Sequence, residues 1–134
     1  MIRVGDLERS VAFYRDALGL RELRREDYPE GKFALAFLGF GEEADHTVIE
    51  LTYNYGSSAY KHGAAFGHLA FAVADIAAAC ARLARMGIPI LRRPGPMTHT
   101  TTEGQRDVIA FIEDPDGYRI ELIARPRTVQ PNLP

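Results

Sequence analysis

Val4-Gly5-Asp6-Leu7 lies over Val73-Ala74-Asp75-Ile76, and Ile49-Glu50-Leu51 lies over Ile120-Glu121-Leu122. Asp6 and Glu50 are 44 residues apart, Asp75 and Glu121 46. Matched order at matched spacing marks a duplicated unit. Each aspartate can accept backbone N–H bonds at a helix start. After Asp6, the residues Leu7, Val11, Tyr14 and Leu18 share one helical face, and Gly19 supplies a stop. After Asp75, the stripe Ile76, Ala79, Cys80, Leu83 and Met86 ends at Gly87.

Each helix is preceded by a short apolar run, Met1 to Val4 or Phe66 to Val73. Three strand-like runs follow each helix: Leu20 to Tyr28, Lys32 to Phe40 and Asp45 to Asn54, then Ile88 to Arg92, Asp107 to Ile112 and Tyr118 to Ala124. Asp114-Pro115-Asp116-Gly117 is a strong turn signal between the last two. The expectation is an α+β chain forming a single domain of two βαβββ modules, residues 1–56 and 64–125, with curved mixed sheets around a cavity. Tyr55 to Ala65 reads as a linker, Pro94 to Arg106 as a long loop, and Pro126 to Pro134 as a short surface tail.

Composition narrows the function classes. The 134 residues suit one domain, with 46% hydrophobic and 25% charged. A net charge of −2 with mixed signs gives no footprint for nucleic acid or an anionic membrane. The one cysteine, Cys80, fits a reducing compartment and reads as a small core residue. No apolar stretch approaches the roughly 18 residues of a membrane span, and no signal-peptide core precedes Ile2. Cytoplasmic residence is expected.

The chemistry rests on Glu50, Glu121 and His68. Each glutamate points opposite to its flanking apolar neighbours in a strand. A lone glutamate there is ordinarily a solvated residue, but duplication places both at one structural position about a pseudo-twofold axis. Two carboxylates facing one cavity are costly unless paired or metal-bound. His68 precedes Asp75 by seven residues, and the same step back from Asp6 falls two positions upstream of Met1. His46, His62 and His99 are expected to be solvated. No GxSxG, P-loop, dinucleotide fingerprint or CxxC occurs.

Longer stretches carry a family likeness. They are Leu7 with Ser10-Val11-Ala12-Phe13-Tyr14, Ala17-Leu18-Gly19-Leu20, Val48-Ile49-Glu50-Leu51-Thr52-Tyr53-Asn54, Phe66-Gly67-His68, and Ala110 through Leu122. On these the chain resembles glyoxalase I (lactoylglutathione lyase), of the vicinal-oxygen-chelate superfamily. The resemblance implies the glyoxalase/bleomycin-resistance/dioxygenase fold and a homodimer with sites at its interface. It implies a divalent metal held by Glu50, His68 and Glu121, nickel being expected of the compact form, with cobalt or zinc as alternatives. It also implies Glu121 as principal base, Glu50 as its counterpart, and Arg3 and Asn54 as glutathione contacts, with Arg92 as a further basic contact. The expected reaction turns the glutathione–methylglyoxal hemithioacetal into S-lactoylglutathione, which detoxifies methylglyoxal. The family's first-strand His or Gln ligand falls at the same position upstream of Met1 that the repeat reaches. That departure leaves two alternatives open: another metalloenzyme of the superfamily, or a metal-free small-molecule-binding relative.

Overall fold

Asp6 and Asp75 start two helices as the spacing predicts. The computed structural model describes residues 1–124. Asp6 Oδ1 accepts from the Arg9 N–H at 3.0 Å and opens α1 (Leu7–Leu18); Asp75 Oδ1 accepts from the Ala78 N–H at 2.9 Å and opens α2 (Ile76–Arg85). Gly19 closes α1 in the left-handed region, φ 79°, where a Cβ would be strained, and its N–H donates to the Arg15 carbonyl. The strands are β1 (Ile2–Arg3), β2 (Arg21–Tyr28), β3 (Phe33–Gly39), β4 (Val48–Asn54), β5 (Leu69–Val73), β6 (Ile90–Pro96), β7 (Val108–Glu113) and β8 (Arg119–Ala124).

Two four-stranded sheets result, ordered β1-β4-β3-β2 and β5-β8-β7-β6. β1 pairs parallel with β4, and β5 parallel with β8; the other pairings are antiparallel. The α+β reading of two mixed sheets therefore holds. The chain divides into two compact units. The first is Met1–Phe66 with Asp114–Tyr118, and the second is Gly67–Glu113 with the described residues from Arg119 onward. In the first unit α1 packs on β3 and β4, burying Leu7, Val11 and Tyr14 against Ala36, Leu38 and Leu51. Full burial of each leucine contributes about 1.5–3 kcal/mol. In the second, Ile76, Cys80 and Leu83 are buried with Ala110, Ile112, Ile120 and Leu122. Burial pushes the Cys80 thiol pKa up, which suits a packed residue rather than a nucleophile.

Beyond shifts of one or two residues at other strand ends, four departures from expectation have identifiable causes. β5 begins at Leu69 rather than Phe66, because its partner β8 begins only at Arg119. The N–H of the preceding Tyr118 is already given to Asp114 Oδ1. β4 begins at Val48, since the Asp45 and His46 N–H groups bond back to the Glu42 carbonyl in a turn. β6 runs through Pro94 to Pro96, which an edge strand tolerates because one of its sides needs no donors. Met86 lies beyond α2 and is 44% exposed, so it is not part of the apolar stripe. The expected tail, Pro126 to Pro134, lies outside the described residues. Among the described residues, no helix is long and apolar enough to cross a membrane.

The Asp114–Tyr118 turn is built into the first unit by its side chains. Asp114 is buried; its oxygens accept from the Tyr14 hydroxyl at 2.8 Å and from the Asp116 and Tyr118 N–H groups at 2.9 Å. Asp116 accepts from the Gly5 N–H at 2.8 Å and the Ser10 hydroxyl at 3.1 Å. The Tyr118 hydroxyl donates to the Arg3 carbonyl at 2.8 Å. Burial, reinforced by the nearby Asp114 charge, holds the Tyr14 pKa well above its ordinary 10.0. The folded state thus keeps this proton more tightly than the unfolded chain. The resulting stability is complete below pH 10 and is lost as pH rises toward the folded value. We expect Tyr14→Phe to cost roughly 1–3 kcal/mol at neutral pH, by removing a charge-assisted hydrogen bond. Urea unfolding from pH 8 to 11 should also show a shallower alkaline loss in the variant; an equal slope in both proteins would refute the assignment.

Candidate functional site

Residues opposite each other across a sheet share a face. In the first sheet Arg3 and Leu35 flank Thr52, Phe37 is opposite Glu50, Arg24 is opposite Phe37, and Asn54 is opposite Phe33. These side chains rise from the face away from α1, so Arg3, Glu50 and Asn54 share one surface. Glu50 is half-buried and accepts from the Thr52 hydroxyl at 3.3 Å. The Arg24 guanidinium lies 3.4 Å from the Phe37 ring centre and binds Glu43 at 2.6 Å as well as Glu26, so its charge is already matched.

The second sheet repeats the arrangement. Glu121 is opposite Phe111, which is opposite Arg92. Arg24–Phe37–Glu50 and Arg92–Phe111–Glu121 are thus equivalent cross-strand rows. The register slips at Leu23 in one sheet and at Leu91 in the other, so both rows depend on the same irregularity. Ile2 is opposite Leu51 as Phe71 is opposite Leu122, which makes Met1 the counterpart of Ala70. His68 therefore matches a position two residues before Met1.

His68, just before β5, has its Nε2 3.2 Å from Glu121 Oε2, and its ring meets Phe111 edge-on at 5.4 Å. The Glu121 side chain is 12% exposed and that of His68 41%. At this separation either a hydrogen on Nε2 or a divalent ion lies between the two atoms. Neighbouring ligand atoms at about 2.1 Å from an octahedral ion lie roughly 3 Å apart, so the pair fits a metal-ligand edge. Among the described residues, no three His, Cys, Asp or Glu side chains gather as a metal cluster. Within the second unit, His68 and Glu121 are brought together.

Arg3 and Asn54 lead to residues that sequence reading passed over. Asn54 Nδ2 donates to the Tyr60 hydroxyl at 3.1 Å. Tyr60 lines a cleft of about 240 Å³ in the first unit together with Arg3, Lys61, His62, Phe66 and Tyr118. The segment expected to be a bare linker is thus one wall of a pocket. His62, expected to be solvated, instead lies flat on the Tyr118 ring, with centres 4.0 Å apart and planes 13° apart. Among the described residues, its buried Nε2 has no hydrogen-bond partner. The aromatic residues Tyr60 and Phe66 were the signal that this stretch packs. Arg92 donates to the Ile109 and Pro96 carbonyls, at 3.1 and 2.8 Å.

Two mixed sheets with this connectivity and a His–Glu pair on one open face define a class. The chain belongs to the Glyoxalase/Bleomycin resistance protein/Dioxygenase superfamily, whose family model matches residues 1–122. It is 54% identical over 123 residues to a probable lactoylglutathione lyase of Synechocystis sp., covering 92% of this chain and 90% of that one. It is 53% identical over 125 residues to the lactoylglutathione lyase of Neisseria meningitidis serogroup A, covering 93% and 87%. Among solved structures it is similar to the trypanothione-dependent glyoxalase I of Leishmania major, with TM-score 0.77, 46% identity, and coverage of 92% and 82%.

The unpartnered His62 nitrogen has a measurable cost, since a buried polar atom without a bond loses its hydration. We expect His62→Leu to stabilise the protein by roughly 1 kcal/mol, seen as a higher urea midpoint at unchanged slope. A lower midpoint would mean that the stack on Tyr118 outweighs the desolvated nitrogen.

Proposed function

We propose that this chain is a lactoylglutathione lyase, isomerising the glutathione–methylglyoxal hemithioacetal to S-lactoylglutathione. The observation that carries the reading is the equivalence of Glu50 and Glu121 in the two sheets, with His68 beside Glu121. The names of its relatives support the same reading. Glu50, His68 and Glu121 are the residues we assign to a divalent metal, nickel being our proposal ahead of cobalt and zinc. We further propose that the working form is a homodimer acting in the cytoplasm; the lone buried Cys80 suits a reducing compartment.

The reaction moves one proton between adjacent carbons. When bound, the metal supplies Lewis-acid stabilisation for the negative charge that develops on the two neighbouring oxygens. Glu121 takes the proton from the carbon bearing sulfur and hydroxyl and returns it to the former ketone carbon; the hydroxyl proton passes from the first oxygen to the second, leaving a thioester and a new hydroxyl. The shielding of Glu121 suits this, because a carboxylate away from bulk water keeps the abstracted proton for redelivery. His68 fixes the carboxylate's orientation through their contact. Arg3, a guanidinium suited to carboxylates, and Asn54 hold the thiol's tail.

Glu121→Gln should lower turnover by roughly 10²–10⁴-fold, Gln having the same shape but little basicity. The thioester absorbance assay on protein of verified metal content measures this. Wild-type rates in a loaded Gln variant would remove Glu121 from the role of base. Light scattering at micromolar concentration should give twice the mass of the 14.9 kDa chain; a monomer that is fully active would end the homodimer proposal.

A further inference from the structure

The cleft beside Arg3 has an unusual charge balance. Arg3 and Lys61 both line it, none of its lining residues is an aspartate or glutamate, and among the described residues neither cation has an ion-pair partner. By contrast Arg9, Arg15, Arg21, Arg24 and Arg25 each face a carboxylate. Two unmatched cations at one concave site repel each other, and an anion between them removes that cost.

Lys61 is held where it can serve. Its neighbour Tyr60 is bonded to Asn54, and its other neighbour His62 is stacked on Tyr118. Tyr118 is tied to the Arg3 carbonyl, so the backbones carrying both cations share one anchor. Nearby, Gly5 packs so tightly on the same segment that a Cβ there would sit 2.1 Å from the Ser58 carbonyl oxygen. The segment from Tyr55 to Phe66 is therefore fixed at several points, and Lys61 loses less freedom on binding than a lysine on a loose loop would.

Resting on the lactoylglutathione lyase reading, we propose that Lys61 is a specificity-determining residue, pairing with a free carboxylate of the thiol and so selecting tripeptide thiols whose acid ends are unmodified. His62 acts as a positioning residue, keeping Lys61 at the rim of the cleft. Neutral amides of the same thiol would leave Lys61 unmatched, and conjugates carrying an added amine would meet its repulsion.

The test is binding of S-methylglutathione, whose blocked sulfur cannot form a hemithioacetal, measured by calorimetry on the full chain. Lys61→Gln should weaken it about tenfold, the scale of one charge-assisted hydrogen bond, whereas Lys61→Arg should retain most of the affinity. Amidating the two ligand carboxylates one at a time completes a cycle. For one of the two amides, wild type and Lys61→Gln should bind within twofold of each other. In turnover assays the Lys61→Gln loss should fall on KM rather than on kcat. Unchanged affinity in Lys61→Gln, or an equal tenfold loss with both amides, would overturn the proposal; so would wild type failing to bind S-methylglutathione. Absence of lactoylglutathione formation by wild type under any divalent metal would instead overturn the enzymatic reading, because the binding cycle needs no turnover.

Discussion

The buried carboxylate of Asp114 is the constraint on which the first unit depends. Burial, with a smaller push from the neighbouring Asp116 charge, raises its pKa, and it is kept in place by three donors, the Tyr14 hydroxyl and two N–H groups of its own turn. Those bonds give the turn a single conformation, and that conformation places Asp116 and Tyr118 so that they reach Gly5, Ser10 and the Arg3 carbonyl. The chain leaves the second unit at Glu113 and re-enters it at Arg119 to do this. Once Tyr118 is fixed, His62 and Phe66 have a ring to pack on, and the Tyr55–Phe66 segment has a defined course. The start of β8, and with it the register that presents Glu121, follows from the same turn.

Duplication does its chemical work through register. A one-residue slip would move every side chain of a strand to the opposite face. Both sheets carry an irregularity at the equivalent leucine, Leu23 or Leu91, and both present an arginine, a phenylalanine and a glutamate in one row. The two rows then diverge in their partners. Arg24 is spent on Glu43 and Glu26, while Arg92 is turned to backbone carbonyls. In the second row, His68 lies beside Glu121.

Much of this was legible along the chain because its causes are local. Asp6, Asp75 and Gly19 act through bonds spanning a few residues, so cap and stop could be read directly. The alternation around Glu50 and Glu121 identified the face each would take. What escaped reading depends on distant partners. β5 starts late because Tyr118 is engaged by Asp114, and β6 passes through Pro94 because it is an edge strand. His62 looked like a loop histidine, since the ring it stacks on lies 56 positions further along the sequence.

The turn at Asp114–Tyr118 also bears on how this protein is made. Its bonds to Tyr14, Ser10, Gly5 and Arg3 bridge sequence separations of 100 to 115 residues. A nascent chain emerging at about 5–20 residues per second exposes α1, β2, β3 and β4 well before the residues that complete their unit have been synthesised. Loops this large close slowly, because chain entropy is lost before the contacts form. The amino-terminal half therefore waits on the ribosome with Ser10 and Tyr14 lacking their native partners. Although its sequence reads as a copy of its neighbour, it is no longer a separable copy: a gene truncated between the repeats would encode a half that lacks its own last piece.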